Sequence, residues 1–363
     1  MWQPGMFRSV SPIKNKPDFA ACLLAWHKRH GRHGLPWQGT RDAYRIWVAE
    51  IMLQQTQVAT VIPYYRRFLE RFPDIAALAC AQQDEVLRLW SGLGYYSRAR
   101  NLQRAAQVVA DRHRGVFPRA LEQIEALPGV GRSTAAAIAA FAYGTRAAIL
   151  DGNVKRVLAR HFAVAGFPGE KRVENRLWQL AEAQLPPRAV GRYTQAMMDL
   201  GATLCTRAKP ACAECPLAQS CAALASGRVR DFPAPRPTKL VPARATHMLL
   251  LVRGGDLLLE KRPPFGIWGG LWSLPEIADG DKVRAHCLSH YGCSIAAPRA
   301  LAPLAHGFTH FKLTIQPLLC RVEKLTPAAH APGQIWLSLE QAHGAAIPVP
   351  VRKLIARLRE VRS

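Results

Sequence analysis

The sequence predicts a multidomain chain: an all-α domain over residues 18–225 that ends in a short four-cysteine loop, then a basic linker over 226–244 and an α+β domain over 245–363. Three observations predict it. At 363 residues the chain exceeds the roughly 100–200 residues of one ordinary domain. Apolar residues recur at helical spacing from Asp18 to about Ala225, broken only by short Gly or Pro stops. Past Arg244 the pattern changes to extended apolar runs mixed with two helical ones. With 49% hydrophobic and 20% charged residues, the chain can bury enough apolar surface to fold. Its apolar runs, such as Ala135 to Ala142, fall far short of the roughly 18 residues that cross a bilayer.

Residues 1–17 are polar, basic and proline-containing, which reads as a flexible leader without the apolar core of a secretion signal. Ile46 to Leu53 is a markedly apolar helix that holds Glu50. Leu121 to Leu127 is helical and stops at Pro128. Gly129-Val130-Gly131 then makes a tight turn, and a new helix opens at about Ser133. Val154 to Phe162 is helical before Gly166, and Asp151 stands just ahead of its start. Pro233, Pro235, Pro237 and Pro242 lie among Arg and Lys in Ser226 to Arg244, which favours a semi-extended connector. His247–Val252 and Asp256–Glu260 read as strands joined at Gly254-Gly255, His310–Val322 as a further extended run, and Lys282–Tyr291 and Val351–Val361 as helices.

Charge gives the first functional clue. Forty-nine Lys and Arg against 25 Asp and Glu leave +24, which points to a polyanionic partner, although charge alone also suits an anionic membrane or an arginine-rich background. Nine cysteines, an odd number with no secretion signal, imply reduced thiols and a cytosolic compartment. Four of them, Cys205, Cys212, Cys215 and Cys221, follow C-x6-C-x2-C-x5-C. So short a loop can gather four thiolates on one zinc ion or one cubane cluster. Zinc ribbons usually present two separated knuckles, so a single irregular run after a helix suits a [4Fe-4S] cluster better. Arg207 and Lys209, between the first two cysteines, also suit a phosphate.

Backbone N–H groups at the Gly129-Val130-Gly131 turn form a phosphate seat beside a helix start, though packing alone can require such glycines. Asp151 has two readings of its own. It can be an ordinary N-cap, or a fixed carboxylate facing a cationic sugar. An unpaired carboxylate in a helix as apolar as that of Glu50 tends to keep its proton, and an acid that keeps its proton near neutral pH can donate it.

Taken together, several stretches resemble one family closely: Leu35-Pro36-Trp37, Glu50 to Gln57, Gly92-Leu93-Gly94-Tyr95-Tyr96, Leu127 to Ala135, Leu150 to Arg156 and the cysteine spacing. This is the helix-hairpin-helix DNA glycosylase superfamily, and within it the MutY family of adenine glycosylases. The resemblance covers nearly the whole chain from Asp18. It implies a six-helix module at about 40–145, an iron-sulfur module at 18–39 and 146–225 holding a [4Fe-4S] cluster, and a MutT-like domain at 245–363. It further implies base-excision removal of adenine opposite 8-oxoguanine or guanine in double-stranded DNA, by a cytoplasmic, nucleoid-associated monomer of bacterial type.

In that reading Glu50 protonates adenine at N7, Asp151 stabilises or transiently bonds the oxocarbenium carbon, and Asn153 fixes geometry. Adenine inside a duplex must be flipped out. By resemblance Gln55 and Leu93 enter the stack, Tyr95 wedges, and Thr56 contacts the lesion, while Trp37 and Gln195 line the adenine pocket. Gly129, Val130, Gly131, Ser133, Lys155, Arg207 and Lys209 are implied to meet DNA. Without the motif around them, Trp37 and Tyr95 would read as ordinary aromatic core. Ser133 stands where endonuclease III carries its lysine nucleophile, so a monofunctional enzyme with weak or no lyase activity is expected.

Trp268 to Trp272 and His306 to His310 resemble the MutT-like domain, with Phe308, Thr309 and His310 expected near 8-oxoguanine. Gly270, Glu276 and Arg284 fit the opening of a Nudix box, but Ala285, Leu288 and Ser289 replace its later glutamates, so metal-dependent hydrolysis is not expected. Gln38 stands where relatives usually carry Arg, and Thr309 where many carry Ser. Two other readings remain: a thymine or oxidised-pyrimidine glycosylase with lyase activity, and a non-catalytic DNA damage sensor. The presence of both Glu50 and Asp151 speaks against the second.

Overall fold

The computed structural model describes residues 18–237, 241–278, 282–325 and 332–360. The expected leader 1–17, residues 238–240 of the expected linker and Val361 lie outside the described residues. The chain forms two compact units. Among the described residues, one comprises 18–50 with 118–126 and 130–237, the other 51–117 with 127–129 and those from 241 onward.

As far as the cysteine loop the described chain is helical. Its helices are α1 (Phe19–His30), α2 (Ala43–Leu53), α3 (Val58–Arg71), α4 (Ile75–Cys80), α5 (Gln83–Trp90), α6 (Ser97–Arg112), α7 (Leu121–Glu125), α8 (Arg132–Tyr143), α9 (Gly152–His161), α10 (Lys171–Ala183), α11 (Val190–Thr203) and α12 (Ala222–Ala225). Asp18, Asp74 and Asp151 begin α1, α4 and α9 by accepting a first-turn backbone N–H, as Asx caps do. The expected helix to Leu127 ends at Glu125, two residues early, because Pro128 bars helical geometry at the residue before it.

In the first unit the core joins α1, α8, α9, α10 and α11 through Leu23, Trp26, Ala136, Ala140, Leu158, Leu177 and Leu200. The alanine run of α8 leaves room for close helix packing, and two glycines of α11 exploit it. A Cβ on Gly191 would lie 3.0 Å from the Ala140 carbonyl oxygen, and one on Gly201 would lie 2.6 Å from Asn153 Cβ. Real Cβ atoms do not come as close as 2.6 Å, so α11 holds its position against α9 only because Gly201 lacks a side chain, while at Gly191 a side chain would force α8 to give by a few tenths of an ångström.

The second unit combines α3 to α6 with a mixed sheet of β1 (Ala243–Arg253), β2 (Asp256–Lys261), β3 (Trp272–Ser273), β4 (Glu276–Ile277), β5 (Cys293–Ile295), β6 (Arg299–Ala300), β7 (Leu304–Gly307), β8 (Lys312–Leu325) and β9 (Gln334–Ser338). Along its main path the order is β3-β2-β1-β8-β5. β1 and β2 form the expected antiparallel hairpin, whereas β1 and β8 run parallel with Leu249 opposite Leu318. Parallel neighbours need a crossover, and α13 (Val283–Tyr291) lies between them in sequence. It packs Val283, Cys287 and Tyr291 against Leu249, Leu251 and Cys320. α14 (Leu339–Gly344) and α15 (Val349–Glu360) follow. β1 starts at Ala243, inside the stretch expected as linker, since its first residues pair with Lys312 and Leu313 of β8. None of the described helices is long and apolar enough to cross a membrane.

Candidate active site

A cavity of about 940 Å³ opens in the first unit, with Trp37, Gln38, Ile46, Glu50, Tyr143 and Gln195 in its lining. α2 delivers Glu50 there. Most other residues of that helix, Ala43, Tyr44, Ile46, Trp47, Val48, Ala49, Ile51 and Met52, are buried, so the carboxyl stands in a largely apolar helix. Burial, reinforced by the neighbouring Asp151 charge, pushes the Glu50 pKa up to about 8. The group therefore holds its proton at neutral pH.

Asp151 accepts the Val154 N–H at 2.8 Å as the N-cap of α9. Burial raises its carboxyl above the usual range, against the pull of the Val154 and Asn153 N–H groups and of positive Arg156 and Lys155. Both readings of Asp151 are thus compatible in one residue: it caps the helix, and it lies within electrostatic reach of Glu50. Asn153 Oδ1 accepts from Arg156 Nη2 at 2.9 Å, and the same guanidinium donates to the Gly201 and Cys205 carbonyls at 2.6 and 2.7 Å. Arg156 thereby ties α9 to the first cysteine of the loop.

Gln195 Nε2 donates to Asp199 Oδ1 at 2.8 Å. Asp199 is fully buried and also receives the Arg32 backbone N–H at 2.7 Å and Arg32 Nε at 2.8 Å, with His27 Nε2 at 3.3 Å. Because its amide nitrogen is engaged there, the remaining acceptor of Gln195 is its carbonyl oxygen. Gln38 pins the preceding loop, accepting from Leu35 N and donating to the Arg32 carbonyl, both at 3.0 Å. Asp199 was not singled out from the sequence. The signal applied to Glu50, an acid inside an apolar helix, would have found it.

Cys205, Cys212, Cys215 and Cys221 line one small cavity with Arg160, whose Nη1 lies 3.4 Å from Cys205 Sγ. Burial and the facing thiols raise Cys212, and burial pushes Cys215 up to about 11. Among the described residues, no three His, Cys, Asp or Glu side chains converge where a single metal ion could sit. Arg207 and Lys209 are exposed.

At the hairpin, Gly129 has φ +80° and Gly131 caps α8 in extended conformation. Val130 is buried, and the Ser133 hydroxyl accepts the Leu150 N–H at 2.9 Å. Lys155 is paired with Glu174 at 2.7 Å.

In the second unit Gln55 and Tyr95 both adopt left-handed backbone, φ +56° and +47°. Tyr95 is 44% exposed, whereas Leu93, expected to enter the base stack, is only 6% exposed. Tyr95 borders a cavity of about 420 Å³ with Trp268, His306, Phe308, Thr309 and His310. Phe308 meets Trp268 at 5.5 Å and His306 at 4.7 Å. Glu276, the carboxylate that survives from the Nudix-box pattern, is paired with Arg262.

Residues 48–183 match the HhH-GPD superfamily of base excision DNA repair proteins, and residues 247–357 match the NUDIX domain. The chain is 34% identical to the adenine DNA glycosylase of Buchnera aphidicola (subsp. Acyrthosiphon pisum), over 94% of this chain and 98% of the relative. It is 35% identical to the Homo sapiens adenine DNA glycosylase, over 96% of this chain and 75% of the human one. A thermostable thymine-DNA glycosylase superposes on 57% of this chain and 95% of its own, with TM-score 0.53 at 30% identity. An endonuclease III–DNA complex covers 60% of this chain and 100% of its own, with TM-score 0.50 at 23% identity, and so shares the fold.

Proposed function

The chain belongs to the adenine DNA glycosylases of base excision repair, and from that premise we propose that it hydrolyses the N-glycosidic bond of adenine paired with 8-oxoguanine or guanine in duplex DNA. The observation that carries this reading is the pair of unlike carboxyls in the first unit. Glu50 is protonated up to about pH 8 at a cavity wall, and Asp151, its electrostatic neighbour, caps a helix. Glu50 gives its proton to N7 of the extruded adenine, which leaves as a neutral base. Asp151 faces the cationic deoxyribose carbon, Asn153 holds its geometry, and water completes an abasic site. Trp37 stacks on the base, and the Gln195 carbonyl oxygen accepts from its exocyclic amine.

Gln55, Thr56, Leu93 and Tyr95 fill the space the base vacates, and Phe308, Thr309 and His310 read the oxidised partner. The turn at Gly129, Val130, Gly131 and Ser133, with Lys155, Arg207 and Lys209, meets phosphate. The enzyme is monofunctional, because Ser133, which has no amine, stands where a lyase carries its nucleophile. Residues 18–225 form the glycosylase domain and 245–363 the lesion-reading domain of a monomer acting in the cytoplasm. Purified protein given such a duplex should release free adenine and leave a strand that breaks only on later alkali treatment. Covalent trapping by borohydride would instead support the lyase reading.

The four thiols would hold a [4Fe-4S] cluster. They line one cavity, and their donor set is uniformly soft, as an iron-sulfur cluster requires of its ligands. When bound, such a cluster fixes the loop that Arg156 and Arg160 anchor to α9. The protein should be brown and contain iron and inorganic sulfide in equal amounts. A colourless protein with one zinc would overturn this assignment.

A further inference from the structure

Arg98, in the first turn of α6, is buried and belongs to no reaction step. Its guanidinium has six acceptors. Nη1 donates to the carbonyls of Ile51, Met52 and Gln54 at 3.0, 2.8 and 2.5 Å. Nη2 donates to Thr56 Oγ1 and to the carbonyls of Leu93 and Gly94 at 3.2, 3.2 and 3.1 Å. The Arg98 backbone N–H donates to the Tyr95 carbonyl at 2.9 Å, and the guanidinium lies 5.6 Å from the Tyr95 ring and 5.3 Å from that of Trp90.

These partners form two groups. Ile51 and Met52 close α2, where carbonyls lack helical partners and a positive charge is favoured. Gln54 and Thr56 bracket Gln55, and Leu93 and Gly94 precede Tyr95. Gln55 and Tyr95 are held in left-handed backbone, a conformation that residues with side chains keep only where surrounding contacts impose it. One planar fork therefore joins the two loops that carry both strained residues, and a point-charge ammonium cannot span the same set.

We propose that Arg98 is a positioning residue that presets the Gln55 and Tyr95 loops as one rigid pair, so that base extrusion rather than bond cleavage depends on it. The proposal rests on the reading of Gln55 and Tyr95 as wedges. Loops ordered before DNA arrives incur no ordering cost on binding, and the strain they hold is supported by the folded protein rather than by the duplex.

The test uses the full chain and a duplex with 2-aminopurine in place of adenine opposite 8-oxoguanine, and it follows the fluorescence rise on extrusion by stopped flow. Arg98→Lys should slow extrusion about tenfold or more while moving the melting temperature by only a few degrees. Combined with Tyr95→Ala it should add little to the single loss, because the two act through one element. Should Arg98→Lys fold poorly, Gly94→Ala serves instead. At φ +73° with open space around the site, it disturbs the loop without crowding, and slowed extrusion is again expected. Normal extrusion in both variants, with Gln55→Ala and Tyr95→Ala impaired, overturns the proposal and leaves the wedges standing. Additive losses in the double variant also overturn it. Normal extrusion in Gln55→Ala and Tyr95→Ala removes the wedge reading itself.

Discussion

Glu50→Gln should slow adenine release by about 100- to 10,000-fold, the range over which a positioned general acid acts, and should leave a protein that melts higher than its parent. Both effects follow from one shift. The folded protein raises the Glu50 pKa to about 8, above its unfolded value. The stability tied to this group is therefore full below the unfolded pKa and is lost as pH rises through about 8, where a buried charge must form. Glutamine never forms that charge, so the gap between the melting temperatures of variant and parent should widen as pH rises from the ordinary carboxylate range to about 8 and stay constant above it. The activity of the parent should fall over the same alkaline range, because only the protonated acid donates. Single-turnover rates from pH 6 to 9 and thermal melts at both ends check the two claims separately. A Glu50→Gln variant with parental rate would remove Glu50 from the chemistry.

Asp151→Asn is the second large effect, and it separates the two uses of that residue. Asparagine caps helices about as well as aspartate, so α9 should begin where it does now and the melting temperature should change little. The charge that faces the sugar is gone, and release should drop by roughly 100- to 1000-fold, the scale of losing one preorganised electrostatic partner. The variant also lacks the anion that helps raise Glu50, so its residual activity should begin to fall at a lower pH than the parent's. Parental rate in Asp151→Asn would leave Asp151 as a cap and nothing more.

How much of this was legible in the sequence depended on distance along the chain. Asp151 ahead of Gly152–His161, Glu50 within Ala43–Leu53 and the hairpin at Gly254-Gly255 are local features, set by caps, periodicity and turn chemistry, and they could be read directly. The parallel pairing of Ala243–Arg253 with Lys312–Leu325 could not, because some sixty intervening residues carry no mark of which strand they return to. The same holds for Arg98, whose distant acceptors lie 42 to 47 residues upstream, the rest standing beside it. Asp199 differs: its partners Arg32 and His27 are 167 or more positions away, but its place beside Ala196, Met197 and Leu200 in an apolar helix marks it locally as a buried acid.

Gly201 shows how heredity bears on this architecture. Every missense change in a glycine codon yields a residue with a Cβ, and here that atom would fall 2.6 Å from Asn153 Cβ. No amino acid is smaller, so the position has no milder allele to drift toward, and substitutions there should be purged from lineages that still need the enzyme.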